Sequence, residues 1–410
     1  MKLLKRAKQS SATGQTDTSS LMHLGMLLVA LVSCTPTRPT PTTPANESAV
    51  APSPAARPIG PPEGELLAFG WEANGPVLLV HDVRDPISLA PGYVGYDISP
   101  DGSNVVATRE VRLSTGISYN PELVLIDIKT QERRVLARTP SREEFNGPIK
   151  WSPAGTSLAY SLVRYAVNPA QVHPGPRTEL QTVCVMKLET ATSTCFPDLR
   201  RVFDFDWSPD GESLLVTGPG PLPMQVLNPT TGHVSSLVAL DDSILRRRLM
   251  RAGLGRAVQF VGPSWSPSGA YVASWVNAPL PVPAVFTSDG QLVALGHPAR
   301  GNAYTFSWRP GADVLLYTTG FSLEMPKPWV LRELNPTDGA DRVLVTRSNR
   351  PLTNDFSVSP SGRWLALLRW RSDTHQKIVF LDLAGQQQSR SVAFSSGEIL
   401  AWGTVGQSED

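Results

Sequence analysis

One phrase returns along most of this chain and constrains its fold more than any bulk property. An apolar approach ends in Trp-Ser-Pro, then a small or acidic residue, then Gly, and a second apolar run follows. The copies are Asp97-Ile98-Ser99-Pro100-Asp101-Gly102, Trp151-Ser152-Pro153-Ala154-Gly155, Trp207-Ser208-Pro209-Asp210-Gly211, Trp265-Ser266-Pro267-Ser268-Gly269, a degenerate Trp308-Arg309-Pro310-Gly311, and Val358-Ser359-Pro360-Ser361-Gly362. The Trp-equivalent positions are separated by 53, 56, 58, 43 and 50 residues. Periods of this size mark propeller blades or another stacked array. The phrase itself is a tight turn: Ser bonds the backbone, Pro presets φ, Asp or Ser suits the next position, and Gly follows.

Each Trp ends an incoming strand, and runs such as Leu214-Leu215-Val216 begin the next one. A third strand with its own turn comes further on, as in Leu123-Val124-Leu125-Ile126-Asp127 before Lys129-Thr130-Gln131, and a fourth follows, as in Arg134-Val135-Leu136. Four antiparallel strands per unit is a propeller blade, so the fold class expected is all-β. Six copies are explicit. A seventh can be assembled from the ends, with Ile399-Leu400-Ala401-Trp402 as its incoming strand and Glu65-Leu66-Leu67-Ala68-Phe69, Val77 to Asp82 and Pro86 to Leu89 as the rest. That sharing would close the ring and remove the exposed sheet edges. The expectation is a seven-bladed β-propeller, with six blades as the fallback.

These repeats resemble the TolB-type, WD40-like (PD40) propeller repeats of bacterial envelope proteins. The resemblance covers about 340 residues. It implies a propeller fold and, through TolB-type scaffolds, a protein-binding role. The same repeats also occur in the propeller halves of prolyl-oligopeptidase-type peptidases and in some polysaccharide lyases, and fold alone does not settle function.

The N-terminus reads as an address. Lys2, Lys5, Arg6 and Lys8 precede a 12-residue apolar run, Leu21 to Val32. A spanning helix needs about 20 residues, so this is a signal-peptide core. It ends in Leu31-Val32-Ser33-Cys34, which resembles the bacterial lipobox. That resemblance implies a diacylglycerol thioether and an N-acyl lipid on Cys34, which would become the mature N-terminus. Thr35 to Pro62 holds nine prolines and no apolar periodicity, so it reads as an extended tether of at most roughly 90 Å. The organisation is a signal peptide (1–33), a lipidated Cys with its tether (34–62), and the propeller (63–410).

An exported protein meets an oxidising compartment. A turn at Glu189-Thr190 would place Cys184 opposite Cys195, and a disulfide between them is expected. The formal net charge of +1 does not point to nucleic acid. His81, His173, His233, His297 and His375 are isolated, with no metal-ligand spacing. Asp204, Asp206 and Asp210 lack the oxygen-ligand pattern of a calcium loop. No G-x-S-x-G occurs, so a fused serine peptidase is not expected. Neither a catalytic residue nor a metal or other cofactor is identified.

The turns after the first and third strands are short. Those after the second strand and between units are long, as at Arg109 to Pro121, Arg164 to Glu179, Asp241 to Gly262 and Arg369 to Gln376. Both long classes leave the same face, where binding residues concentrate. The most unusual insertion, Asp241 to Arg251, reads as a helix that stops at Gly253. Ile244, Leu245, Leu249 and Met250 would pack inward, and Arg246, Arg247, Arg248 and Arg251 would face phosphate headgroups, acidic glycans or an acidic protein. Tyr165, Phe321, Trp329 and Trp370 sit in or beside the long loops and join the candidate partner-binding set. The reading is a monomeric, non-catalytic module, lipid-anchored at the outer membrane or the outer face of the cytoplasmic membrane, binding a protein or peptide. The alternative is an enzyme or sensor for envelope or extracellular glycans.

Overall fold

The computed structural model describes residues 65–70, 76–80, 86–112, 118–140, 143–165, 179–199, 201–219, 223–239, 243–254, 259–277, 280–299, 305–319, 329–347, 352–372, 375–384, 388–394 and 398–404. The signal segment, Cys34 and the tether lie outside them.

The repeated phrase folds the same way at each full copy. Ser99, Ser152, Ser208, Ser266 and Ser359 are all buried. Each backbone carbonyl accepts the Gly N–H three residues on at 2.8–2.9 Å. Each hydroxyl oxygen accepts the N–H five residues on, at 2.9–3.1 Å. Gly102, Gly155, Gly211, Gly269 and Gly362 all have φ near +70°, a conformation that disfavours a Cβ. Gly155, Gly211, Gly269 and Gly362 also sit against the preceding repeat. A Cβ on Gly155, Gly211 or Gly269 would stand 3.7, 3.6 or 3.8 Å from the Cδ of Pro100, Pro153 or Pro209. The Ser-Pro-x-Gly phrase therefore shapes a hairpin and joins it to its neighbour.

Among the described residues the strands form seven four-stranded sheets. The first contains Glu65–Gly70, Pro76–Val80, Pro86–Pro91 and, from the other end of the chain, Glu398–Thr404. The second to seventh span 93–138, 143–196, 204–238, 259–295, 306–347 and 352–394. In the first sheet Leu67 pairs with Trp402 and Phe69 with Ile399, antiparallel.

The core lies between sheets rather than inside any one of them. Val106 and Leu123 of the second sheet cluster with Ile149 and Trp151 of the third. Val183 and Phe196 of the third cluster with Phe205, Trp207 and Leu214 of the fourth. Equivalent slabs join the fourth to the fifth, the fifth to the sixth, and the sixth to the seventh. The first strands of neighbouring sheets also pack together. Tyr93–Ile98 lies on Glu143–Trp151, that strand on Asp204–Trp207, and that in turn on Gln259–Trp265. Phe306–Trp308 lies on Leu352–Val358, which lies on Glu398–Thr404, which lies on Tyr93–Ile98. The Trp308 indole joins the fifth and sixth sheets by donating to the Ser264 carbonyl at 3.4 Å.

Two local features differ in kind. Cys184 and Cys195 face each other on adjacent strands and are joined by a disulfide. Several stretches read from sequence as long loops are instead extended hairpins. Asn104–Arg112 and Ser118–Asp127 pair out to Arg112 and Ser118, and Trp364–Ser372 pairs with His375–Asp382 out to Ser372 and His375. The β-branched and aromatic residues there, Val111, Tyr119 and Trp370, favour strand continuation.

Two glycines separate backbone strain from packing. A Cβ on Gly311, at φ +73°, meets nothing within 4 Å, whereas one on Gly362, at φ +68°, lies 2.9 Å from the Pro310 carbonyl oxygen. Gly311→Ala should cost about 1–2 kcal/mol from backbone conformation alone. Gly362→Ala should cost at least a further ~1 kcal/mol from crowding between sheets. Equal losses in denaturant unfolding would show that the turn-to-turn nesting contributes nothing.

Candidate functional site

A charged group occupies the end of three adjacent first strands. The residue just before each Trp-equivalent position is Asp97, Lys150, Asp206, Ser264, Ser307 and Ser357 in successive sheets. Asp97 Oδ2 accepts the Trp151 N–H at 2.7 Å, and the Trp151 indole donates back to the Asp97 carbonyl at 3.3 Å. Asp206 Oδ2 accepts the Trp265 N–H at 3.0 Å, and the Trp207 indole donates to the Lys150 carbonyl at 3.1 Å. Lys150 thus sits between carboxylates of the sheets before and after it. Asp204 adds a third, its Oδ1 accepting the Phe205 N–H at 2.8 Å.

These side chains are half-buried and surrounded by sheet. Desolvation pushes the Asp97 and Asp204 carboxyls up to about 6 against the pull of the Lys150 ammonium. Asp206 is raised for the same reason. Burial opposes the charge on Lys150, but the combined field of Asp206, Asp204 and Asp97 outweighs it and raises its pKa. Burial is the larger cause of the carboxyl shifts, and the excess of carboxylates over the one ammonium adds to it at Asp97 and Asp204. Asp210 is not part of it. Its Oδ1 accepts from Ser208 and Glu212 in the turn, which holds its carboxyl below the usual range. Sequence reasoning missed Asp97 and Lys150. Aligning the residue before each Trp would have exposed them, since charges fill that position in three successive repeats and serines in the next three.

The second charged feature lies at the other end of the sheets. Connections from second to third strands, and from one sheet to the next, leave the face opposite the Ser-Pro-x-Gly turns. One of these connections contains the helix Ser243–Arg251. Leu245 and Leu249 are buried with Leu254 in the slab formed by Met224, Val238, Phe260, Val276 and Val282. The helix ends at Gly253, with φ +79°, and the Leu254 N–H bonds the Leu249 carbonyl at 3.1 Å, a Schellman-type cap. Arg246, Arg247, Arg248 and Arg251 are exposed. The Arg248 guanidinium donates to the Leu292 carbonyl, so its role includes holding the helix down. Met250, expected to pack inward, is instead 45% exposed, because Leu245 and Leu249 already fill the inward stripe. Ile244's side chain, Asp241 and Asp242 lie outside the described residues.

Of the aromatic candidates, Tyr165 is the one whose side chain is described. Tyr165 is buried, and its hydroxyl bonds Glu144, also buried. It is a core residue, because the strand Ser157–Tyr165 extends through it. Trp329 and Trp370 stand within the strands Trp329–Leu334 and Trp364–Ser372 rather than in loops, and their side chains lie outside the described residues. Phe321, His81 and His173 lie outside as well. His233 and His297 are exposed. Among the described residues no group of three His, Cys, Asp or Glu is placed to hold a metal ion.

No protein-family model matches the chain, and no curated protein matches it in sequence. Among solved structures it is similar to a prolyl endopeptidase, at 12% identity over 84% of this chain and 50% of that one, with TM-score 0.55. It is similar to an oligogalacturonate lyase in complex with manganese, at 12% identity over 82% and 86%, with TM-score 0.54. TolB from Acinetobacter baumannii aligns at 14% identity over 83% and 66%, and its TM-score of 0.45 is too low to carry weight. The chain therefore spans half of that endopeptidase and just under two thirds of that TolB. At such identities the likeness shows the fold alone, a β-propeller scaffold.

The charged group makes stability pH-dependent in a definite direction. A carboxyl whose folded pKa is raised to about 6 adds stability that is complete below its unfolded value and lost as pH rises through 6. Asp204→Asn keeps an acceptor for Phe205 and removes a desolvated charge. It should raise stability at pH 7.5 by roughly 1 kcal/mol and flatten the gain between pH 7.5 and 5. Lys150→Met strands three carboxylates and should cost roughly 3–5 kcal/mol at pH 7.5, less at pH 5. A Lys150→Met loss that does not shrink at pH 5 would refute the electrostatic account.

Proposed function

We propose that this protein is a non-catalytic binding module held at the bacterial envelope, whose propeller takes a protein or peptide partner on the face opposite the Ser-Pro-x-Gly turns. The ring has seven blades and is closed by the C-terminal strand Glu398–Thr404 completing the N-terminal sheet. Seven sheets and the run of first-strand contacts support this closure. The chain is exported as a monomer and anchored by lipid on Cys34, and the Pro-rich tether lifts the propeller off the membrane. The lipobox resemblance and the tether's composition support that part.

The observation that carries the binding role is the contrast between faces. One is trimmed to short, hydrogen-bonded turns. The other bears a rigidly seated helix with arginines turned outward. Arginine and large apolar side chains on a rigid support are the residue types that anchor interfaces.

Cross-linking and co-purification from solubilised envelopes tests the role. The native chain should capture a discrete partner, and Arg246→Ala/Arg247→Ala/Arg251→Ala should capture at least fivefold less while melting at the same temperature. Cys34→Ala should move the protein from the membrane to the soluble fraction. Absence of any partner, together with turnover of an envelope glycan, would replace the binding module with an enzyme.

A further inference from the structure

The outer strand of the third sheet enters a core at one residue. Thr192–Phe196 is the fourth strand of that sheet and stands at its edge, paired with Glu179–Lys187. Thr192, Ser193, Thr194 and Cys195 are all exposed, and Phe196 is the residue that joins a core slab. The same strand of the next two sheets places Val238, Leu292 and Ala294 in slabs. The turn leading into Thr192 passes through Ala191 at φ +51°, a left-handed conformation that is unfavourable for a residue with a Cβ. The strand is held by backbone pairing from Phe196 to Thr192 and by a hydrogen bond between Tyr160 and Ser193. The Thr182 hydroxyl also donates to the Phe196 carbonyl at 2.7 Å, and the Cys184–Cys195 disulfide is the covalent tie.

The two sulfurs stand in different surroundings. Cys184 is fully buried in the slab with Val106, Leu123, Ile149 and Met186, whereas Cys195 is exposed. A reductant therefore reaches the bond from the Cys195 side. Its thiolate bonds to Cys195 Sγ and the S–S bond breaks, with the electron pair leaving on Cys184 Sγ. An anionic sulfur is poorly solvated among those apolar side chains. The leaving sulfur must take up a proton or swing out with the strand. Until then it lies beside the mixed disulfide and displaces the reductant again. A monothiol is expelled by that return step. A dithiol escapes it, because its second thiol attacks its own sulfur in the mixed disulfide and frees Cys195. Two electrons pass from the dithiol to the bond, both cysteines end as thiols, and the reductant leaves as its own disulfide.

We infer that the Cys184–Cys195 disulfide is a redox latch on the outer edge of the third sheet, opened by a dithiol reductant and resistant to monothiols, whose opening releases Thr192 to Cys195 while the slabs stay folded. The release is bounded. Phe196, Leu199 and Val202 pack with Phe205 and Trp207 between the third and fourth sheets, so fraying from the turn stops there. It bares the outer backbone groups of Cys184 to Lys187, an edge that can pair with an extended segment. The latch is independent of the arginine-bearing helix, which packs on the slab of the fourth and fifth sheets, so the binding-module reading stands or falls separately.

The test uses the full chain with Cys34→Ser, which leaves Cys184 and Cys195 as its cysteines. Bond state is read by alkylation and mass spectrometry, and local opening by hydrogen exchange. At equal thiol concentration, dithiothreitol should reduce the folded chain at least tenfold faster than glutathione. In denaturant, where Cys184 is no longer buried, glutathione should reduce it too. Reduction should speed exchange at least tenfold in Cys184 to Lys187 and Thr192 to Cys195, and leave Val234–Val238 and Glu143–Trp151 unchanged. Cys184→Ala/Cys195→Ala should exchange like the reduced chain and melt in one cooperative transition, and reduction of the chain with both cysteines gives the same readout without a substitution. Equal reduction of the folded chain by both reagents would overturn the gating by Cys184. Unchanged exchange after reduction would show a strand that does not need the bond, and faster exchange in every sheet would show a bond that holds the whole fold. Either result overturns the latch.

Discussion

A four-stranded sheet of this size has two apolar faces and cannot bury either alone. The contact that solves this is the one between neighbouring first strands, where a Trp reaches back to the sheet before it. Trp151, Trp207 and Trp308 each donate an indole N–H to the carbonyl that precedes the earlier Trp-equivalent position. The ring half of each indole packs in the slab between the two sheets. One side chain therefore supplies burial and a directional bond together, and it fixes the offset between sheets. The Pro-to-Gly nesting at the turns repeats that offset a few ångströms away.

This stacking divides the molecule's two ends. At the turn end the backbone is satisfied by short bonds within Ser-Pro-x-Gly, and insertions there would disturb the contact with the next sheet. The opposite end carries the connections, which can lengthen without touching the slabs. The helix Ser243–Arg251 shows how such an insertion is seated: two leucines and Leu254 enter an existing slab, while Arg246, Arg247, Met250 and Arg251 are exposed. The Asp97, Lys150, Asp204 and Asp206 group lies nearer the turn end, where the first strands converge. Its charges have partners across sheets, and burial of its carboxylates leaves it sensitive to protons.

The turn phrase was legible because its chemistry is local. Serine, proline and glycine act within six residues, and their spacing along the chain is the spacing of the sheets. The helix and its stop at Gly253 were legible for the same reason. Tyr165 and Met250 were not. Whether an aromatic at a strand end is covered depends on Glu144, 21 residues away, and on how far the strand continues. Which face of a nine-residue helix turns inward depends on the slab it meets, and Leu245 and Leu249 took the places that Met250 could also have filled.

What this sequence determines by itself is the unit: a hairpin-forming phrase, a Trp before it, four apolar runs per period and a ragged pair of ends that complement each other. These follow from hydrogen bonds and steric limits within a few residues. Tertiary structure alone decided that Asp97, Lys150 and Asp206 are neighbours, though 53 and 56 residues separate them in the chain, and that Leu245, Leu249 and Leu254 share a slab with Met224 and Val282. Stacking converts the repeat period into proximity, so residues at the same phase of different repeats meet. Their identities at that phase are free to vary without altering the hairpin, which is why no single repeat reveals the charge pattern they make together.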